Sequence, residues 1–170
     1  MLGLTTLGLF HTAIGLVAVL SGIIAFVRDR EISPHNGVGQ IYIWATVVTC
    51  VTAFGIFQHG GFGKPHMLAV LTLLVLALAA LAGRMKVMGR ASKYVETIAY
   101  SATFLFHMIP ALTETFTRLP AGAPLFANAD DPGLQKVTGV FLLLFVIGAT
   151  LQVRRIRATR RALVAPAAAL

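Results

Sequence analysis

Ionisable and hydroxyl side chains recur at helical spacing within one long apolar stretch of the sequence. They are Glu96, Tyr100, Thr103, His107, Glu114 and Arg118. At 100° per residue, all of them fall within about 60° of one another and form a single polar stripe on a helix. Ionisable groups are costly in lipid, so the stripe is predicted to face the bundle interior or a wet cavity and to mark a functional site. The alternative is a hydrogen-bonded seam that holds helices together.

A second intramembrane histidine lies on a face of small residues in the first apolar stretch. That face consists of Gly8, His11, Gly15, Ala18 and Gly22. With a rise of about 1.5 Å per residue, His11 and His107 each lie roughly 10 Å below the same end of two antiparallel helices. The spacing therefore predicts two imidazoles that face each other across the outer half of a helix bundle.

Two imidazoles on separate helices, with small residues beside them, match the needs of a b-type haem. We therefore predict that the protein binds haem b for membrane electron transfer, with His11 and His107 as the ligands. Glu114 and Arg118 would tune the potential or contact the propionates. The alternatives are a small metal site formed by the same histidines with Glu114, and no cofactor at all.

The remaining part of the stripe is predicted to serve proton movement. Glu96, Tyr100 and Thr103 would provide a proton or hydrogen-bond path toward the cytoplasm. A proton-coupled permease that uses the stripe from Glu96 to Glu114 as its relay is an alternative function. Five spans without an inverted repeat make a poor transporter unless the protein forms an oligomer.

Hydrolytic chemistry has weaker support, and no catalytic residue is assigned. The sequence contains no G-x-S-x-G elbow, no H-E-x-x-H helix and no cysteine nucleophile. An intramembrane metal hydrolase would have to assemble His11, His59, His66 and His107 with Glu114. Near the ends of the apolar stretches, capping or interfacial roles are favoured for His35, His59 and His66. Enzymatic activity therefore stays open.

The composition predicts that these residues are positioned by a membrane-embedded helix bundle. Hydrophobic residues make up 57% of the chain and charged residues 12%, and the mean hydropathy is +0.83. Five stretches approach the roughly 20 apolar residues that span a bilayer: 4–27, 38–58, 66–83, 94–116 and 137–153. We predict an all-α polytopic membrane protein, with five transmembrane helices in one bundle over residues 1–153 and a basic cytoplasmic tail over 154–170.

The basic residues predict the orientation, because cytoplasmic loops carry an excess of Lys and Arg. One side holds eleven of them: Arg28, Arg30, Arg84, Lys86, Arg90, Lys93, Arg154, Arg155, Arg157, Arg160 and Arg161. The other side holds Lys64, Arg118 and Lys136. The N-terminus is therefore expected outside and the C-terminus in the cytoplasm, in the plasma (inner) membrane. No basic residue precedes Arg28, so the first stretch is expected to remain as a membrane helix.

The same pattern limits the partners. Basic residues in short clusters between apolar runs are topology determinants, so nucleic acid is not expected to bind. The expected partners are the lipid bilayer and either other membrane subunits or a second copy of the chain. A non-catalytic accessory subunit of a larger complex is thus a further alternative. Ser33 is the expected N-cap of the second helix, and the third and fifth stretches are expected to be scaffold without chemistry.

Two short motifs resemble those of a known group of proteins. The H-x-x-x-G of His11 to Gly15, the H-x-x-x-G-x-x-Y of His35 to Tyr42 and the later intramembrane histidine resemble an uncharacterised family of small bacterial multi-pass membrane proteins. The resemblance covers most of the first two stretches and, more weakly, the fourth. It implies no activity, and Asn36 stands where that family commonly has Arg.

A looser likeness is to the histidine-bearing helix bundles of b-type cytochromes. It implies electron transfer through haem ligated by His11 and His107. Two clear histidine pairs at opposite membrane faces are lacking, so the likeness supports one outer haem only.

Overall fold

The computed structural model describes residues 5–57, 61–85 and 88–164 of the chain. Across these ranges the protein is helical and contains no strand. The helices are α1 (Thr6–Asp29), α2 (Gly37–Ala53), α3 (Lys64–Met85), α4 (Ser92–Phe116) and α5 (Pro132–Val164), with one 3-10 turn (Gly89–Ala91) directly before α4. The all-α class and the five helices are therefore confirmed.

Four helices in the described ranges are long and apolar enough to cross a membrane. They are α1, α3, α4 with the turn before it, and α5. Helix α2 has only 17 residues, a length of about 26 Å against roughly 30 Å of hydrocarbon. The helix was expected to extend to residue 58 but ends at Ala53, after which the chain turns at Phe54 and Gly55. A membrane crossing by α2 remains a prediction.

The fifth helix is longer than the stretch 137–153. It starts at Pro132, because the Oδ1 of Asp131 accepts a hydrogen bond from the Gly133 N–H at 2.8 Å and proline fits the first helical position. It then continues through the basic segment to Val164 as a helix of 33 residues, about 50 Å long. Most of the predicted basic tail is thus helical, while residues 165–170 lie outside the described ranges.

The turn between α1 and α2 contradicts one expectation. The N-cap of α2 is Asn36 and not Ser33, since the Asn36 Oδ1 accepts a hydrogen bond from the Gly39 N–H at 2.8 Å. The Asn36 amide also donates to Asp29 Oδ2 at 3.1 Å, which ties the start of α2 to the end of α1. A Cβ at position 39 would run into the Ser33 carbonyl oxygen, so only glycine permits this close turn. Asn36 and the second motif's glycine therefore both have structural roles.

Helices α1 to α4 pack around a shared core. Helix α1 contacts α2 and α4, α3 contacts α2 and α4, and α5 packs along α4. The core consists largely of small residues and two tyrosines: Ala18, Ala25, Ile32, Tyr42, Ala45, Leu76, Ala79, Ala99 and Tyr100. Small residues allow membrane helices to approach closely. Helices α2 and α4 lie across this core from each other, and their polar side chains meet inside it.

Candidate functional site

Three threonines spaced three residues apart line one side of α2. The hydroxyls of Thr46, Thr49 and Thr52 each donate a hydrogen bond to a backbone carbonyl one turn earlier, at 2.8, 2.8 and 2.9 Å. A threonine hydroxyl has one proton, so each oxygen can then act only as an acceptor toward other groups. This fixes the direction of every further hydrogen bond at these oxygens.

His107 of α4 is anchored to the first of these threonines. Its Nε2 lies 3.0 Å from the Thr46 Oγ1, and the imidazole is buried. Because the Thr46 proton is held by the Tyr42 carbonyl, the imidazole must donate in this bond. Neutral His107 therefore carries its hydrogen on Nε2 and a lone pair on Nδ1.

His11 of α1 is anchored to the third threonine by its other ring nitrogen. The Nδ1 lies 3.0 Å from the Thr52 Oγ1, and the side chain is half-buried. Thr52 donates to the Val48 carbonyl, so His11 Nδ1 is the donor and its Nε2 carries the lone pair. The two threonine anchors are six residues apart, about 9 Å along α2. The structure thus places both imidazoles against α2, His11 from α1 and His107 from α4.

A second hydrogen bond joins α2 to α4 one helical turn before Thr46. The Tyr42 hydroxyl lies 2.8 Å from the Thr103 Oγ1, and both side chains are fully buried. Thr103 donates to the Tyr100 carbonyl at 2.7 Å, so Tyr42 is the donor. The Tyr42 ring also meets the His107 ring edge-on, with centroids 6.0 Å apart. We call Tyr42, Thr46, Thr103 and His107 the α2–α4 seam. Both of its threonines donate to backbone carbonyls, so their hydroxyls do not form a continuous chain of side-chain hydrogen bonds.

The carboxylate of Glu96 lies at the opposite end of the stripe. It is 7% exposed, with Oε2 3.5 Å from Lys93 Nζ and Oε1 4.0 Å from His35 Nε2. It fills the space beside Gly83, where an added Cβ would meet the carboxylate. Lys93 also pairs with Glu31 at 3.3 Å. Glu96 is therefore held in an ion-pair cluster at the basic end of the bundle.

The other end of the stripe is open to the surroundings. Glu114 and Arg118 form an ion pair one helical turn apart, and the Glu114 side chain is 58% exposed. Glu96, Tyr100, Thr103 and His107 are thus buried, whereas Glu114 is exposed. An exposed ion pair at a helix end is stable in contact with solvent.

The remaining histidines do not join the pair. The His35 side chain is 80% exposed. His66 is buried, accepts a hydrogen bond from the Gly63 N–H at 3.1 Å through Nδ1, and stacks on three rings: Phe54, Phe57 and Phe62. That bond uses the lone pair a metal would need. His59 lies outside the described residues, among which no group of three or more His, Cys, Asp or Glu side chains is placed to hold a metal ion.

Sequence reasoning missed one polar residue completely. Gln152 of α5 is buried, accepts a hydrogen bond from the Ser101 hydroxyl at 3.0 Å and donates to the Arg30 carbonyl at 3.0 Å. It joins α5 to α4 and to the end of α1. A lone amide in an apolar stretch was the available signal, since unpaired amides are costly in membranes. Gln152 thus gives α5 a polar contact that was not predicted from the sequence, in a helix expected to be scaffold.

Four of the described helices are long and apolar enough to cross a membrane, which fits a helical, multi-pass membrane protein. No protein-family model, curated protein or solved structure matches this chain. The function therefore has to be inferred from the geometry of its own side chains.

Proposed function

We propose that this protein holds one haem b between His11 and His107 and passes electrons through it in the plasma (inner) membrane. The observation that carries the proposal is the state of the two imidazoles. Each is fixed through one ring nitrogen by a threonine hydroxyl of α2, at 3.0 Å, while its other nitrogen keeps a lone pair. Metal-ligating histidines in proteins are oriented in this way by a hydrogen bond from the second ring nitrogen.

The donor atoms differ between the two ligands. His11 offers Nε2 and His107 offers Nδ1, because Thr52 and Thr46 occupy the opposite nitrogens. The residues beside His11 on its face of α1 are small, among them Gly8 and Gly15, so another group can approach this face closely. Arg118 is the residue we assign to a propionate, with Glu114 as its partner in the ion pair.

The distribution of basic residues supports the orientation of the site. The side predicted to be cytoplasmic holds eleven Lys and Arg residues and the other side three. In this arrangement all five helices cross the bilayer, the N-terminus lies outside and the imidazole pair lies in the outer half. Glu96 then lies toward the cytoplasm, where its carboxylate pairs with Lys93.

The hydroxyl directions favour a binding site over a proton relay. In a relay each hydroxyl donates to the next group, whereas Thr46 and Thr103 donate to backbone carbonyls of their own helices. We therefore assign Tyr100 and Thr103 to helix packing, and we favour haem binding over a proton-coupled permease as the function. The hydrogen-bonded seam also suits an accessory subunit, because it stabilises the bundle without a cofactor.

The experiment is a reduced-minus-oxidised absorption spectrum of the detergent-purified protein, before and after addition of haemin, with metal analysis of the same sample. We expect a Soret band with b-type α and β bands. His11→Ala and His107→Ala should each abolish the bands, because each removes one ligand. His35→Ala is the matched control, since the His35 side chain is exposed.

Two results would contradict the proposal. One is an unchanged spectrum in folded His107→Ala protein. The other is a wild-type protein that remains colourless after addition of haemin, which together with co-purified partner proteins would support the accessory subunit.

A further inference from the structure

A cavity of about 640 Å³ lies between α1, α4 and α5. Its wall is mostly aromatic and aliphatic, and includes Phe26, Phe104, Leu105, Met108, Phe141 and Phe145. Neither His11 nor His107 lines it. The volume falls within the roughly 300–1,000 Å³ of small-molecule sites. The cavity is therefore separate from the imidazole pair and large enough for a ligand of its own.

One end of this cavity is basic. Arg30, Gln152 and Arg155 line it, and the same residues line a second cavity of about 280 Å³. The other charged residues of that second cavity are Lys93, Arg160 and Glu31. The two cavities are therefore neighbours that share Arg30, Gln152 and Arg155. We call them together the basic groove: an apolar trough along α4 and α5 that ends among guanidinium groups.

Basic side chains outnumber acidic ones at that end, since the second cavity is lined by four Lys and Arg residues and by one carboxylate, that of Glu31. Arg30 forms no ion pair with a carboxylate in the described part of the chain, and Arg155 donates to the backbone carbonyl of Asp29. The nearby acids have other partners, since Asp29 pairs with Arg28 at 2.8 Å and Glu31 pairs with Lys93 at 3.3 Å. The groove end therefore attracts negative charge.

We propose that the basic groove binds an anionic phospholipid, with an acyl chain in the apolar trough and the phosphate on Arg30 and Arg155. Hydrocarbon suits the phenylalanine-rich wall, and guanidinium groups hold phosphate by charge-assisted hydrogen bonds. Basic pockets between membrane helices recognise anionic headgroups in this way. The groove lies at the basic end of the bundle, where anionic lipid is favoured by charge.

Bound lipid would also attach α5 to the rest of the bundle. Helix α5 packs along α4, and it reaches the end of α1 through Gln152 and Arg155. Away from the Gln152 and Arg155 contacts, the groove lies between α5 and α1. An acyl chain there fills the gap, so binding stabilises the folded state.

The test is native mass spectrometry of the full chain in neutral detergent, titrated with phosphatidylglycerol or with phosphatidylcholine of the same acyl chains. Wild type should prefer phosphatidylglycerol. Arg30→Gln and Arg155→Gln should each weaken phosphatidylglycerol binding about fivefold, the contribution expected of one basic residue at an anionic headgroup. Arg84→Gln, at the exposed end of α3 and outside both cavities, is the charge-matched control and should leave the affinity unchanged.

A second pair of variants tests the trough itself. Gly148 lines the cavity, and an added Cβ there meets no atom within 4 Å, so the side chain of Gly148→Leu is expected to occupy the trough. Gly139 of the same helix is equally open but lies outside the cavity, which makes Gly139→Leu the control. We expect Gly148→Leu to reduce binding of both lipids while Gly139→Leu binds like wild type.

Three outcomes would overturn the proposal. The first is equal affinity of wild type for the two lipids. The second is an unchanged preference for phosphatidylglycerol in both arginine variants. The third is unchanged lipid binding in folded Gly148→Leu protein, which would mean adsorption to surface charge without a groove site.

Discussion

The α2–α4 seam and the basic groove both place polar groups among apolar helices, but they leave different groups unused. In the seam, the Tyr42 hydroxyl and the Thr46 hydroxyl each have a defined acceptor. In the groove, Arg30 has no carboxylate partner in the described ranges. Polar residues with satisfied bonds hold helices together, whereas unused donors, charges and lone pairs indicate a ligand. The imidazole lone pairs of His11 and His107 belong to the second kind.

The largest effect should follow from releasing an imidazole from its threonine anchor. Thr46→Val and Thr52→Val keep the side-chain shape but remove the oxygen that orients His107 or His11. Loss of such a partner typically costs 10–100-fold in metal affinity. We expect a loss of that size in haemin affinity, measured by absorbance titration.

Thr49→Val is the control for these two variants. Thr49 lies between Thr46 and Thr52 on the same side of α2, and its hydroxyl donates to the Ala45 carbonyl in the same way. Its haemin affinity should stay near that of wild type. Equal affinities in all three variants would contradict the anchoring role of Thr46 and Thr52.

A pair of glycine variants compares packing around Glu96, in the bundle interior, with packing in the basic groove. A Cβ at Gly83 would meet the Glu96 carboxylate, whereas one at Gly148 meets open space. We expect Gly83→Leu to lower the free energy of unfolding by about 1–3 kcal/mol through overpacking, and Gly148→Leu to leave it nearly unchanged. Denaturant unfolding in detergent measures both; equal losses would show that the groove is as tightly packed as the bundle.

The smallest effect should come from one hydroxyl of the seam. Tyr42→Phe removes the bond to Thr103, but Thr103 keeps its own bond to the Tyr100 carbonyl. We expect a loss of about 0.6 kcal/mol in the free energy of unfolding, the average for a side-chain hydrogen bond between membrane helices. Tyr94→Phe is the control, because the Tyr94 ring and not its hydroxyl contacts Arg160. A loss above about 2 kcal/mol, beyond the largest such bonds measured in membranes, would mean that Tyr42 has a further role.

Much of the helical arrangement was predictable because apolar length and helical periodicity are local properties. The stripe residues Glu96, Tyr100, Thr103 and His107 are buried together, as their spacing predicts. The early start of α5 was missed because it depends on the cap formed by Asp131 and Pro132. These residues lie in a segment whose composition is typical of a loop.

The partners of the site residues were beyond sequence reasoning. Thr46 and Thr52 reach His107 and His11 only because α2 packs beside α1 and lies across the core from α4 at a particular axial register. Gln152 likewise finds Ser101 and the Arg30 carbonyl through the position of α5. Such register depends on side-chain packing across helices, which no single stretch of sequence specifies.

The most direct test of the imidazole pair as a ligand site is a haemin titration of the purified wild-type protein followed by visible absorbance. The proposal predicts saturation at one haem per chain, with a six-coordinate b-type spectrum that is lost in His11→Ala and in His107→Ala. Failure to saturate, or saturation that neither substitution alters, would contradict it.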